Sequence, residues 1–321
     1  MVRHKLKLGI LLPTRGLLLA DDPPLDAKLI IDMARLAEDS GLDSVWVGDS
    51  LTAKPRLEPL LTLAAVAACT KKLRLGTAVL LAPLRHPVLL AQMVGTLDMI
   101  SGGRTILGVG AGGAFSKDQR HEFEVSGTTI PRRGQRLEEV IEIVKGLGAT
   151  TSFSFTGKHF NLVGVSVEPR PIQPSGIPVL FACHLRAQQE AQFRRAARLG
   201  NGYISISEPP EDFAEVGRRV RHYAKEYGKD HEFIEGTFYL TINLNKAEQA
   251  AQSEADNYIK RYYGINIWRN LWGPWGPPQL AIHRIQQYAS AGANTIIVRF
   301  ASFNPMGQLK TFLREVAPRF V

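Results

Sequence analysis

Cysteine is scarce: Cys69 and Cys183 are the two in 321 residues, which leaves no disulfide framework and no pair at metal-ligand spacing. The chain also lacks H-E-x-x-H and G-x-S-x-G, so neither a metal nor a serine-hydrolase mechanism is supported, and no metal is expected. No apolar run reaches the ~20 residues of a membrane span. The opening MVRHKLKLGILLP has the wrong shape for a signal peptide, because Leu8–Leu12 already reads as a strand. A cytoplasmic protein with no membrane partner is the expectation. The turn after that first strand, LLPTRG, has no G-x-G-x-x-G, which argues against a dinucleotide fold. Although the formal charge is +9, the basic residues form no tail and are not interleaved with stacking aromatics. Arg132, Arg133 and Arg136, then Arg194, Arg195 and Arg198, then Arg218, Arg219 and Arg221 read as solvated helix faces. Some preference for anionic ligands is left, and nucleic acid is not an expected partner.

What is abundant is alternation. Between Leu73 and Gly113 an apolar strand (LRLGTAVLL) runs into a Pro-started helix (HPVLLAQMVGTLDMI), a GGR turn and a second apolar strand (TILGVGAGG). Both strands are continuous apolar runs, as a strand buried on both faces of a parallel sheet requires. Strands are predicted at 7–12, 44–47, 73–80, 105–109, 178–182, 202–206, 236–244 and 294–300. Helices are predicted near 26–40, 58–70, 87–101, 133–147, 187–199, 211–227, 246–263, 278–291 and 306–317. One helix-to-strand joint recurs at AEDSGLDSVWV, AARLGNGYISI and ASAGANTIIV, where Gly41, Gly200 and Gly292 are expected to end helices in the left-handed conformation. Eight strands close a barrel, so the fold class expected is α/β, a (β/α)₈ TIM barrel forming one domain over 1–321. An open doubly wound sheet is the alternative. Two segments interrupt the alternation: 150–175, an excursion after the fourth predicted helix with short β-like runs and three prolines, and 265–278, which sets three tryptophans among prolines.

In such a fold the chemistry sits at the carboxyl ends of the strands. Those ends supply Leu12 and Thr14; Asp49 and Ser50; Thr77, Ala78 and Val79; Gly110 and Ala111; Cys183, His184, Leu185 and Arg186; and Arg299. Small residues and few titrating side chains suit a flat aromatic cofactor lying against the chain. Cys183–Arg186, just ahead of a helix predicted to start near Ala187, is the expected phosphate anchor, with the helix N-terminus and the Arg186 fork both drawing an anion. Asp49 either holds a backbone or ring edge or bonds its own loop. His86 leads into a helix, and Cys183 is read as a packed small hydrophobe. The catalytic residue is not identified; Asp49, Ser50 and His184 are the candidates. Trp268, Trp272 and Trp275 are expected to form an apolar lid on the substrate side, near Arg299.

GLDSVWVGDS, RLGTAVLLAPLRHPVLLAQ, TLDMISGGRTILGVGAG, EPRPIQPSGIPVLFA and RRAARLGNGYIS together resemble the bacterial-luciferase-like superfamily of flavin- and deazaflavin-dependent oxidoreductases. The resemblance implies the (β/α)₈ barrel with an insertion after helix 4, and reduced FMN or coenzyme F-420, the 8-hydroxy-5-deazaflavin, at the C-terminal face. It places Thr77, Ala78 and Val79 behind the ring, with a non-proline cis peptide at Ala78–Val79. Gly110 and Ala111 come near the ring's other part, and Ala182 to Arg186 form the phosphate loop. Two departures stand out. Cys183-His184 replaces the Gly-Gly pair of many relatives, and Ser50 replaces the histidine that sugar- and alcohol-oxidising deazaflavin members carry after the strand-2 aspartate. The resemblance implies a monooxygenase that uses dissociable reduced FMN, supplied by a separate reductase, and oxygen on a small apolar substrate. Hydride transfer with F-420 is the alternative, and a non-catalytic barrel a third reading. A homodimer through the helices at 58–70 and 87–101 is implied as well.

Overall fold

The computed structural model describes residues 5–21, 23–229, 231–232, 234–265 and 273–320. Each apolar run forms a strand within one residue of its predicted bounds: β1 (Lys7–Leu11), β2 (Ser44–Val47), β3 (Arg74–Leu80) and β4 (Thr105–Val109). After the antiparallel hairpin β5 (Phe153–Thr156) and β6 (Asn161–Val165) come β7 (Val179–Ala182), β8 (Gly202–Ile206), β9 (Glu235–Leu244), the two-residue β10 (Trp275–Gly276) and β11 (Thr295–Phe300). Parallel pairing runs β1-β2-β3-β4-β7-β8-β9-β11, and β11 pairs back to β1. The sheet is a closed barrel, so the open alternative is set aside.

Helices α1 (Lys28–Asp39), α2 (Pro59–Cys69), α3 (Pro87–Ser101), α4 (Lys117–Val125), α5 (Arg133–Ala149), α6 (Glu190–Leu199), α7 (Pro210–Glu226), α8 (Glu248–Tyr263), α9 (Pro278–Ser290) and α10 (Pro305–Glu315) complete the chain. Among the described residues, no helix is long and apolar enough to cross a membrane. One buried residue from each barrel strand fills the interior: Leu11, Trp46, Ala78, Ile106, Leu180, Ile204, Tyr239 and Ile297. Val79, Ala182 and Ile206 sit on that plug as partly buried residues and so become a floor for whatever lies above.

Two sequence expectations need correction. Helix α4 was not predicted, since only Glu122 and Phe123 of it are buried and its apolar period is weak. Its reciprocal capping box, Ser116 with Gln119, was the readable signal. The insertion at 150–175 therefore follows α5. Gly41 and Gly292 do adopt positive φ, at 77° and 100°. Gly200 instead is extended, at φ −92° and ψ 167°. It is glycine for closeness, because a Cβ there would lie 2.6 Å from the Ala196 carbonyl oxygen. The insertion wraps the outside of the barrel, pinned by two buried carboxylates. Glu139 accepts the amides of Lys158, His159 and Phe160, and Asp98 accepts those of Ile172 and Gln173 and the Gln173 side chain.

Candidate functional site

At the carboxyl end of β3 the ladder to β4 slips between Thr77 and Leu80, and the Ala78–Val79 peptide is cis. The glycines of β4 make room for this bulge. A Cβ on Gly108 would lie 2.1 Å from the Thr77 carbonyl oxygen, and one on Gly110 would lie 2.8 Å from Val79 Cγ2. The Thr77 hydroxyl closes the joint by donating to the Gly108 carbonyl at 2.8 Å. Above it lies a cavity of about 190 Å³, floored by Ala78, Val79, Ala182 and Ile204. Its walls carry polar side chains among apolar ones: Asp49, Ser50, Lys54 and Arg56 after β2, Glu122 from α4, and His184, Ser205, Tyr239, Tyr262 and Tyr263.

Asp49 is almost fully buried and already committed. It accepts the Leu81 amide at 2.8 Å and both terminal nitrogens of Arg85, at 2.5 and 3.1 Å. Its carboxylate therefore ties the β2 end to the segment that follows the bulge. The Ser50 hydroxyl donates to Glu122 at 2.7 Å, and the same carboxylate oxygen accepts the amides of Thr52 and Ala53. One buried glutamate thus fixes the loop that carries Lys54 and Arg56.

On the opposite wall, the helix expected near Ala187 begins at Glu190, after a single 3₁₀ turn over Leu185–Ala187. The loop amides are not bare. Buried Glu208 accepts the Leu185 amide at 2.6 Å, the Arg186 amide, and the Ser205 hydroxyl at 3.0 Å. A carboxylate of the chain itself engages two of the amides that the sequence reading left for a phosphate. Burial raises Glu208 above the usual carboxylate range, against the pull of those donors. Arg186 is half exposed and stands 3.9 Å from Asp212. Cys183 is fully buried and its thiol is pushed up by that burial, consistent with packing. His184 is clamped through its backbone by Gln192, at 2.8 and 2.6 Å, and the residue lines the cavity.

Of the sequence candidates, the cavity lining gathers Asp49, Ser50, Ala78, Val79 and His184. Leu12, Thr14, Thr77, Gly110, Ala111, Cys183, Leu185 and Arg186 lie outside it. Arg299 is buried behind the tyrosines, donating to Thr241 at 3.1 Å and to Tyr263 at 2.6 Å. Trp275 packs half-buried against the cluster of Tyr258 and Tyr262, whereas Trp268 and Trp272 lie outside the described residues. Lys54, Arg56, Glu122, Glu208 and the α8 tyrosines were missed. Only the α4 capping box offered a signal for any of them.

Burial pushes the His184 imidazole down from its ordinary 6.5 to about 4, with about a third of the side chain still exposed to the cavity. The folded protein therefore keeps His184 neutral where the unfolded chain protonates it, so stability is lost as pH falls from about 6.5 to about 4. The exposed third cuts the effect to ~1–2 kcal/mol. Glu208, with its raised value, works in the opposite sense. Urea unfolding of wild type and His184→Gln at pH 7 and pH 4.5 separates the two: the variant should lose less stability on acidification. Equal losses would remove His184 from the pH response.

Known proteins match this chain over most of its length. A family model described as luciferase-like monooxygenase matches residues 6–266. An F420-dependent glucose-6-phosphate dehydrogenase of Amycolatopsis mediterranei is 29% identical, covering 90% of this chain and 93% of that one. A 5,10-methylenetetrahydromethanopterin reductase of Archaeoglobus fulgidus is 28% identical over 69% of this chain and 62% of its own length. Among solved structures, the monooxygenase RslO1 of Streptomyces bottropensis superposes with a TM-score of 0.80 at 23% identity, covering 98% of this chain and all of that one. At these identities the structural likeness speaks for the barrel alone.

Proposed function

Because the chain belongs to the luciferase-like monooxygenase family, we propose that it is a deazaflavin-dependent oxidoreductase that transfers a hydride to or from a small substrate. The observation that carries this reading is the wall of the cavity. Lys54, Arg56 and three tyrosines line the space above Ala78–Val79, beside Asp49 and Glu122, whose carboxylates the chain's own donors hold. Oxygen transfer from a reduced flavin needs walls that keep water out, and charged side chains bring water in. The relatives' names point the same way, since the Amycolatopsis dehydrogenase is F420-dependent. Reduced FMN with a separate reductase, the monooxygenase reading, leans on an apolar tryptophan lid, of which Trp275 is the described part.

The residues fit such a cofactor in one respect and resist it in another. Ala78, Val79 and Ala182 leave a floor with no large side chain, as a flat ring requires. The β7 loop has the Leu185 and Arg186 amides already engaged by Glu208, so a cofactor phosphate there would lean on the Arg186 and His184 side chains. When bound, the deazaflavin supplies a two-electron hydride acceptor or donor. The chain's own part is to keep the floor flat, to hold the loop after β2 through Glu122, and to hold a proton at the Ser50 hydroxyl, which is hydrogen-bonded to that carboxylate. Fluorescence titration of the cofactor-free protein tests the reading. The deazaflavin coenzyme should bind at least tenfold more tightly than FMN in matched redox states. Preference for FMN, or binding of neither, would overturn it.

A further inference from the structure

We propose that the space between the loop after β2 and the C-terminal end of α8 receives an anionic group of the substrate, a carboxylate or a phosphate. The inference deepens the proposed function in that it takes the same cavity as the reaction site.

Four cations from separate parts of the chain meet there around four tyrosines. Arg15 follows β1, Lys54 and Arg56 follow β2, and Arg299 is on β11. The Arg15 guanidinium lies 5.2 Å from the Tyr262 ring centre, Lys54 Nζ 4.5 Å from that of Tyr263, and Arg56 5.9 Å from that of Tyr262. Arg299 faces Tyr239 and Tyr262, each at 5.1 Å. Backbone carbonyls aim the loop cations: Arg15 donates to Tyr262 and Pro55, and Arg56 to Lys54. Carbonyls orient such groups without neutralising them.

Among the described residues, no carboxylate oxygen comes within 4.0 Å of Arg15, Lys54 or Arg56. The carboxylate acting on Arg56 is that of Asp49, which Arg85 and the Leu81 amide already occupy. Glu122 lines the same cavity, and its carboxylate oxygen is taken by the Ser50 hydroxyl and the Thr52 and Ala53 amides. No Asp or Glu occurs before Asp21, and none between Asp256 and Glu315. Gathering cations from two loops and a strand around a tyrosine cluster costs free energy through desolvation and mutual repulsion, unless an anion completes the set.

The phenols and Asp49 support the charge on Arg56, while the crowding of cations is felt at Tyr262 and Lys54. Burial raises the Tyr262 phenol, yet Arg56, Arg299, Arg15 and Lys54 together hold it below its usual value. Lys54 is pushed down by burial and by the repulsion of Arg56, Arg15 and Arg299.

The anion could belong to the substrate or to the acidic tail of a cofactor. The barrel order favours the substrate. β1 and β7 stand four strands apart in the ring of eight, so the cation cluster lies across the mouth from the β7 loop, the side on which the family resemblance sets the cofactor phosphate.

Calorimetric titration of the cofactor-free protein with inorganic phosphate at low ionic strength tests the proposal. Wild type should bind phosphate with a dissociation constant on the order of 1 mM. Lys54→Met and Arg56→Met should each weaken it at least tenfold, Arg56→Lys should restore most of the loss, and Arg186→Ala should leave it unchanged. Loss of phosphate binding with deazaflavin affinity held within twofold supports a substrate site. Unchanged phosphate affinity in both methionine variants would overturn the proposal. Displacement of phosphate by the tailed coenzyme but not by its tail-less riboside would overturn it too, by giving the cations to the cofactor. Phosphate binding is read without cofactor, so it stands or falls separately from the choice of flavin.

Discussion

Ala182→Trp should abolish cofactor binding, with at least a hundredfold loss of affinity, or ~2.7 kcal/mol, while thermal unfolding moves by only a few degrees. Ala182 ends β7 and is one of the three partly buried residues resting on the barrel plug. Its position beside the bulge is close, since a Cβ on Gly110 would lie 3.6 Å from the Ala182 Cβ. An indole there has nowhere to go but upward, into a cavity of about 190 Å³ whose floor must stay flat for a ring to lie on it. The substitution adds bulk at an open rim, so it avoids the strain that overpacking brings to a closed core. Fluorescence titration with the deazaflavin and a melting curve on the same samples check both halves. An affinity unchanged by the indole would move the cofactor off this floor and take the proposed function with it.

The barrel was legible because its strands are buried on both faces, which writes them as unbroken apolar runs, and because helix ends are marked by glycine and proline. Ala78–Val79 and the small residues around it were legible from the same logic, helped by the family resemblance that implied the cis peptide. What escaped depends on how loops fold. Lys54 and Arg56 sit in a stretch without periodicity, and only the Glu122 carboxylate, 66 residues or more along the chain, shows where that loop is held. Glu208 reads in sequence as a residue ahead of α7. Nothing local says that it reaches back to the amides of Leu185 and Arg186. Tyr258, Tyr262 and Tyr263 read as one helix's aromatics, and their meeting with Arg15 and Arg299 is a product of barrel closure alone. The start of the helix after β7 was placed three residues early for a related reason: a 3₁₀ turn and a helix start look alike in composition, and they differ in how many free amides they present.

Trp46→Ala should cost ~3–5 kcal/mol, and the cost should be coupled to the glycine beside it. Trp46 is fully buried inside the barrel, with its indole nitrogen donating to Ser44 Oγ at 2.9 Å. On the neighbouring strand Gly76 is its register partner, and a Cβ there would lie 2.1 Å from the indole Cε3. On the other side, a Cβ on Gly9 would lie 2.9 Å from the indole nitrogen. Gly76 thus gives up a side chain to the ring, and Gly9 gives one up to Ser44 as well as to the ring, since a Cβ there would lie 2.4 Å from Ser44 Oγ. Gly76→Ala alone should therefore destabilise by ~3 kcal/mol or more, at the upper end of what an added methyl costs in a packed core. In the Trp46→Ala background the ring is gone, the new methyl enters the space it left, and the same change should cost ~1 kcal/mol or less. Urea unfolding of the four proteins measures a coupling energy of ~2 kcal/mol or more. Additive costs would mean that Gly76 is there for its backbone rather than for the indole. Ala78 belongs to the same interior cluster as Trp46, so a gap beneath it should also loosen the floor. The single Trp46→Ala variant should then bind cofactor more weakly than its remaining stability alone would predict, and the double variant, with the gap partly refilled, should recover part of that affinity.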